Sequence, residues 1–316
     1  MWIDDYIKLK YPINNKLIKM EEAMLFKYEH IPTSLYKYRA VNEFSLKNLE
    51  EDTVWVTNAV NFNDPYDCAL NMEFNYLEER IKRAIISKFL DSHNQNGVDK
   101  NQLKGYSTKS LKELCKFVLS YDKQLSTKPD IIDEFAESMI RLMKEENDNH
   151  VKLFVEKAQK GTFIACFSEL NDSILMWSHY ANNHKGFCVE YDFKQCGNDD
   201  VLTRSLQPVI YTDKMFDMSV YMTETLEDHN NLISIYSAII KSKEWAYERE
   251  WRLTFPMGVS FESFNRAVTT PKAVYLGTKI SEDDQNKVLS IANRRNIPVF
   301  KMSMRSDEFK LVSGEL

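Results

Sequence analysis

Between about residue 75 and residue 160 the chain changes character. Charged and apolar residues recur there at helical spacing, broken only by two polar stretches, DSHNQNGVDKNQ and LSTKPD. The spacing predicts helices over 75–91, 108–121, 129–146 and 148–160. On both sides of this block the sequence reads largely as short strands. The order strands, helices, then mostly strands favours α+β over a doubly wound sheet. The expected architecture is a mixed, mainly antiparallel sheet with flanking helices. Residues 1–74 and 161–316 form its core domain, and 75–160 is an inserted all-helical subdomain whose amphipathic faces bury a core of their own.

In the first segment, Leu17, Ile18, Met24, Leu25 and Phe26 predict a helix over 15–29, ended by Pro32 and Thr33. SLYKYR (34–39) alternates and is rich in aromatics, so it reads as a strand. A helix over 43–50 leads to a second strand, TVWVT (53–57). The turn NFNDPYD (61–67) follows, where Pro65 drives Asp64 out of the helical region. After the insertion, GTFIACF (161–167), GFCVEY (186–191), QPVIY (207–211) and WRLTF (251–255) read as strands. SILMWSHYA (173–181) reads as a helix capped by Asn171 or Asp172. A long helix is expected over 217–243, then strand 272–276, helix 281–294 and strand 297–303.

Only eight of 316 residues are glycine, and no two are closer than eight positions. The dinucleotide fingerprint G-x-G-x-x-G and the phosphate loop G-x-x-x-x-G-K-[ST] are therefore absent. Any nucleotide site must be built from side chains. The net charge of −6 gives no general attraction for phosphate backbones, so generic nucleic-acid binding is not expected. No apolar run approaches the ~20 residues of a membrane span. The opening MWIDDYIKLK lacks the layout of a signal peptide. Five scattered cysteines with no C-x-x-C pair read as reduced, and the expectation is a cytoplasmic protein.

Three places carry candidate chemistry. Glu248-x-Glu250 precedes a strand, and on extended backbone residues i and i+2 point the same way. Two carboxylates flanked by Trp245, Tyr247 and Trp251 suit general acid–base work or stabilisation of a developing cation. The plainer reading is salt bridges to Arg249, Arg252 or Lys243. The segment FSELNDSILMWSHY (167–180) sets Ser168 at a strand end and crowds Trp177, His179 and Tyr180 on one short helix, a common pocket lining. Arg39 ends the first strand, where a guanidinium can clamp a phosphate with two parallel hydrogen bonds. His179 and His184 do not meet a zinc pattern, and neither the histidines nor the cysteines form a ligand cluster, so no metal is expected.

LYKYR (35–39), FNDPYD (62–67), FSELNDSILMWSHYANNHKGFCVEYD (167–192) and YEREWRL (247–253) together resemble the bacterial domain-of-unknown-function family numbered 2971. The likeness covers about 31–67 and 161–255. More distantly, the order Arg39, Ser168, Glu248-x-Glu250 is similar to that of ADP-ribosyltransferases of the arginine-serine-glutamate type. That resemblance implies a split sheet holding NAD as substrate in a cleft without a glycine loop. It implies Arg39 on a phosphate or ribose, and Ser168 ordering the glutamate and the nicotinamide ribose. Glu250 would stabilise an oxocarbenium-like transition state, and Glu248 would orient or deprotonate an acceptor. Tyr36, Trp177 or Tyr180 would stack on nicotinamide. The expected enzyme is a transferase acting on an unknown macromolecular acceptor, or an NAD glycohydrolase, with a toxin or phage-defence role as the corresponding biology. The middle motif is FSE rather than a serine-threonine-serine run, and the insertion is foreign to the minimal fold.

Two other readings compete. Asp64, Asp67, Glu190 and Asp192, helped by Lys185 or Lys194, could gather magnesium for a nuclease. Alternatively, the protein is a non-enzymatic regulatory or binding partner whose aromatics are structural.

Overall fold

A computed structural model describes residues 2–93, 103, 105–221, 228 and 230–316. The chain divides into two compact units. The larger comprises residues 1–69, 157–215 and 230–316, and the smaller 70–156 and 216–229.

The larger unit is built on a ten-stranded sheet. Its strands in chain order are β1 (Leu35–Arg39), β2 (Thr53–Asn58), β3 (Thr162–Ser168), β4 (Phe187–Tyr191), β5 (Leu206–Pro208), β6 (Glu250–Pro256), β7 (Phe264–Ala267), β8 (Ala273–Leu276), β9 (Val299–Met304) and β10 (Leu311–Glu315). Only β8 and β9 pair in parallel, joined by the helix Glu282–Arg294. The other pairings are antiparallel. The fold is α+β, with a mixed, mostly antiparallel sheet and flanking helices.

The sheet forks at β3. Along one edge β3 pairs with β6 over its whole length, from Thr162↔Pro256 to Ser168↔Glu250. Along its other edge it pairs with β2 only at Ile164↔Thr57 and Phe163↔Asn58, and with β1 only at Ser168↔Tyr36. Between those contacts, Ala165, Cys166 and Phe167 have no strand partner on that edge, so β1 and β2 part company there. The helix Glu43–Glu50 joins the two diverging strands. It begins with a capping box, in which Asn42 and Ser45 each satisfy the other's backbone N–H.

Alternation explains the main core. Val54 and Val56 of β2, Phe163, Ala165 and Phe167 of β3, Phe187 and Val189 of β4, and Trp251 and Leu253 of β6 all contribute to one apolar cluster. Fully burying each large side chain contributes ~1.5–3 kcal/mol. The residues between them, Cys166, Ser168, Glu250 and Arg252, have the opposite parity on β3 and β6. This places them together on the other face.

Several elements differ from expectation. A helix covers Trp2–Lys10, in a stretch that suggested none. The helix expected at 15–29 is a 3-10 turn at Asn15–Leu17 followed by a helix at Met20–His30. The buried Lys27 of that helix donates to the carbonyls of Thr203, Arg204 and Leu206 at 2.6–3.0 Å, caring for acceptors at the end of the helix Val201–Ser205. Ser173, not Asn171 or Asp172, caps the helix Ile174–Tyr180. The long helix expected over 217–243 is replaced. Phe216–Asp217 is a short strand, Ile233–Ser237 a short helix and Ile240–Ser242 a strand, while 222–227 and 229 lie outside the described residues. Ile240–Ser242 pairs in parallel with Ile210–Thr212. An apolar run of this kind fits a buried strand as well as a helix, and pairing decided between them.

The helices Phe74–His93 and Leu111–Leu119 lie in the smaller unit, and the helix Pro129–Gly161 lies in it up to residue 156. The two helices expected at 129–146 and 148–160 are one, because nothing between them is a proline or glycine. Phe89, Leu103, Leu114 and Phe117 form one core, and Leu111, Cys115 and Ala136 another.

Candidate functional site

A cavity of about 780 Å³ lies at the fork. Its walls include Tyr36–Ala40 of β1 and the residue after it, Trp55 of β2, Cys166–Ser168 of β3, and Glu248, Glu250 and Arg252. The fork explains why a cavity exists here: β3 lacks a neighbour along Ala165–Phe167. The backbone groups exposed by that gap need partners. Lys37 meets one of them, donating from Nζ to the Cys166 carbonyl at 3.0 Å while lying 5.1 Å from the centre of the Phe167 ring.

The floor is a buried ionic network. Lys241 donates to Glu248 Oε2 at 2.6 Å and to Glu250 Oε2 at 3.0 Å. Arg252 holds Glu250 through Nε at 2.9 Å and Nη2 at 3.1 Å. Its Nη2 also pairs with Asp67 at 2.7 Å, and its Nη1 donates to the Ala238 carbonyl at 2.6 Å. Tyr180 donates its hydroxyl proton to Glu248 Oε1 at 2.7 Å. The three carboxylates outnumber the two cations by one. All five of these ionic groups are buried.

The two glutamates converge for a reason other than strand alternation. Glu248 ends a 3-10 helix spanning Lys243–Glu248, and Glu250 opens β6. Arg249 between them is left-handed, at φ 43° and ψ 58°. That conformation is uncommon for a side chain other than glycine, asparagine or aspartate and is held by its surroundings. Here the Arg249 carbonyl accepts from the Glu169 N–H at 3.1 Å, and its own N–H donates to Ala246.

The two carboxylates differ in electrostatic setting. Burial alone would push both upward. At Glu250 the charges of Arg252 and Lys241 overcome burial and hold the group at about 2. At Glu248 burial, with the charge of Glu250 beside it, outweighs Lys241 and the pKa is raised. Glu250 is therefore the fixed anion, and Glu248 is the member of the pair that takes up a proton. Higher in the cavity, burial and the neighbouring Arg39 lower Lys37 to about 8. Arg39 donates from Nη2 to Asn48 Oδ1 at 2.8 Å. Neither Lys37 nor Arg39 forms an ion pair with a carboxylate among the described residues.

Of the residues singled out from sequence, Arg39, Ser168, Tyr36, Tyr180, Glu248 and Glu250 all line this cavity. Trp177 does not. It is fully buried, and its indole N–H donates to the Asn171 carbonyl at 2.7 Å, so its ring offers no face for stacking on a ligand. Ser168 is also fully buried, with its hydroxyl donating to the Glu248 carbonyl at 2.6 Å and accepting from Leu170 N–H at 3.0 Å. It fixes the backbone that carries Glu248. Glu250 has both oxygens committed to Arg252 and Lys241. The plainer salt-bridge reading named Arg252, which does pair with Glu250; Lys243 instead pairs with Asp213.

The carboxylates of the nuclease reading are not gathered. Asp67 pairs with Arg252, whereas Glu190 accepts from Ser34 at 2.5 Å and Tyr275 at 2.7 Å and pairs with Lys272. Asp64 accepts from Tyr66 N–H, and Asp192 from Lys194 N–H. Among the described residues no group of three metal-ligating side chains is assembled, and no helix is long and apolar enough to cross a membrane.

Lys241 and Lys37 were not singled out, and Asp67 was singled out only as a magnesium ligand. Lys241 sits in a stretch that reads as helix, and Lys37 alternates with tyrosines as any half-exposed strand lysine does. No curated protein and no solved structure matches the chain. The matched family segment runs over residues 176–253, a narrower span than the resemblance in sequence, and includes Tyr180, Lys241, Glu248, Glu250 and Arg252. Residues 176–253 match the model of the family described as protein of unknown function (DUF2971).

Proposed function

We propose that this cavity cleaves the nicotinamide–ribose bond of NAD, as an ADP-ribosyltransferase-like enzyme or an NAD glycohydrolase. One observation carries the reading: a protonatable carboxylate, Glu248, sits beside a fixed one, Glu250, in a cavity also walled by the cations Lys37 and Arg39. A diphosphate needs cations without carboxylate partners, and Lys37 and Arg39 meet that need.

The chemistry follows from charge. When the C1′–N1 bond breaks, its electron pair goes to the nicotinamide ring and neutralises it, while positive charge develops at C1′. Fixed negative charge placed there stabilises that transition state. Glu248 is chosen over Glu250 because it carries only two donors, Tyr180 and Lys241, and no guanidinium, whereas Glu250 accepts two bonds from Arg252 and one from Lys241. As a carboxylate, Glu248 takes the proton of the water or acceptor hydroxyl that attacks C1′. Glu250 and Lys241 set its charge state, Tyr180 orients it, and Ser168 holds its backbone. This keeps for Glu248 the acceptor-deprotonating role that the resemblance implied and adds to it the charge stabilisation that the resemblance gave to Glu250.

Isothermal titration with NAD and a nicotinamide-release assay test the reading. Wild-type protein is expected to bind NAD and release nicotinamide. Glu248→Gln is expected to bind NAD but to release nicotinamide ~10²–10⁴-fold more slowly. Absence of binding at millimolar NAD defeats the proposal.

A further inference from the structure

The rim of the same cavity carries two aromatic rings that the fold does not use. Trp55 lies between Val54 and Val56, which are 2% and 0% exposed, yet is itself 43% exposed. Alternation along β2 turns the valines into the core and the indole outward. Phe44, in the first turn of the helix Glu43–Glu50, is 70% exposed. Neither ring packs against another ring among the described residues. Both line the cavity, together with Asn42, Lys47 and Asn265.

The strand under the indole is well fixed. Trp55 lies opposite Asn265 on β7. Asn48 Nδ2 donates to Asn265 Oδ1 at 2.9 Å and to Thr53 Oγ1 at 2.8 Å. The same Asn48 accepts from Arg39. One asparagine thus ties the cation wall of the cavity to the strands that carry Trp55. The cavity therefore grades from a buried ionic floor, past Lys37 and Arg39, to exposed aromatic rings.

We infer that Trp55, supported by Phe44, stacks the adenine of the ligand, so that the site takes a dinucleotide rather than a mononucleotide. This rests on the proposed NAD-cleaving reading and extends it to the far end of the substrate. A flat π-surface beside cations is the environment that a base attached to a diphosphate requires. Stacking a base on an aromatic side chain is worth enough to raise Kd by ~5–150-fold when the ring is removed.

The test compares NAD, AMP and nicotinamide mononucleotide by titration calorimetry on wild-type, Trp55→Ala and Phe44→Ala proteins. Both substitutions are at exposed side chains, and circular dichroism verifies folding. Trp55→Ala is expected to weaken NAD and AMP by ~10-fold or more and to leave nicotinamide mononucleotide unchanged. Equal affinity of wild-type and Trp55→Ala proteins for NAD and AMP overturns the adenine assignment while the cleavage reading stands. AMP binding that depends on Trp55, with no NAD binding or cleavage, retains the base site and overturns the cleavage reading. If wild-type protein binds neither NAD nor AMP, both fall.

Discussion

The Ser168 hydroxyl donates to the carbonyl oxygen of Glu248 at 2.6 Å across eighty residues of sequence. That bond fastens the end of β3 to the turn presenting the carboxylate pair. A serine at a strand end is thereby turned into a positioning residue for the cavity floor.

Ser168→Ala strands the Glu248 carbonyl and the Leu170 N–H in a buried setting. A loss of ~1–3 kcal/mol is expected in urea unfolding, the cost of unpaired buried polar groups. Nicotinamide release is expected to fall further than binding of NAD, because the substitution frees Glu248 rather than the cation wall. Parallel loss of both would show a general structural role instead.

Arg252 is fully buried between Glu250 and Asp67. Arg252→Met leaves two buried carboxylates without their main cation, and ~3–5 kcal/mol of destabilisation is expected in chemical denaturation. The Glu250 pKa is depressed from 4.5 to about 2, so its contribution to stability is present above the unfolded value. It is lost as pH falls from 4.5 towards 2. In Glu250→Gln, the acid-unfolding transition is expected to lose that part of its steepness.

Tyr180 donates to Glu248 and so favours the ionised carboxylate, whose pKa burial nevertheless raises. Activity that needs ionised Glu248 is lost as pH falls through that raised value. Tyr180→Phe removes the stabilising donor. The acid limb of the nicotinamide-release profile is expected to move to higher pH. A limb that stays in place would remove the Tyr180–Glu248 bond from the mechanism.

Lys37 loses its proton near pH 8 because it is buried beside Arg39. As a cation it binds anions below that value and not above it. Pyrophosphate affinity, measured by calorimetry, is expected to weaken as pH rises through about 8. Lys37→Met is expected to bind more weakly at pH 7 and to show a flatter dependence. A wild-type affinity constant from pH 7 to 9 would contradict an anion-binding role for Lys37.

Much of the fold is legible because neighbours in sequence decide it. The alternation in LYKYR, TVWVT and GTFIACF, and the helical spacing between 75 and 160, fix local geometry through side-chain periodicity alone. Scarce glycine says where close approach is possible. At Gly186 an added Cβ would lie 2.1 Å from the Arg39 carbonyl oxygen, so β4 needs glycine there to pass beside β1. Position at strand ends and aromatic crowding marked Arg39, Ser168, Tyr180 and the two glutamates, while Tyr36 came only from the family resemblance.

The rest depends on distance in space. Trp177 looks in sequence like a pocket wall and lies in the core, since burial belongs to the packed sheet and not to the residue type. The segment from 217 to 243 is apolar enough for a helix, but a strand partner at Ile210–Thr212 made part of it β. Sequence by itself determined which segments alternate, which coil, and that a nucleotide site could not use a glycine cradle. Tertiary structure decided that β1 and β2 part at β3, that Lys241 and Arg252 divide two similar glutamates into a fixed anion and a titrating one, and that Trp55 stays at the rim. Long-range pairing and burial set those outcomes, because Coulomb and desolvation energies depend on separations that no local pattern encodes.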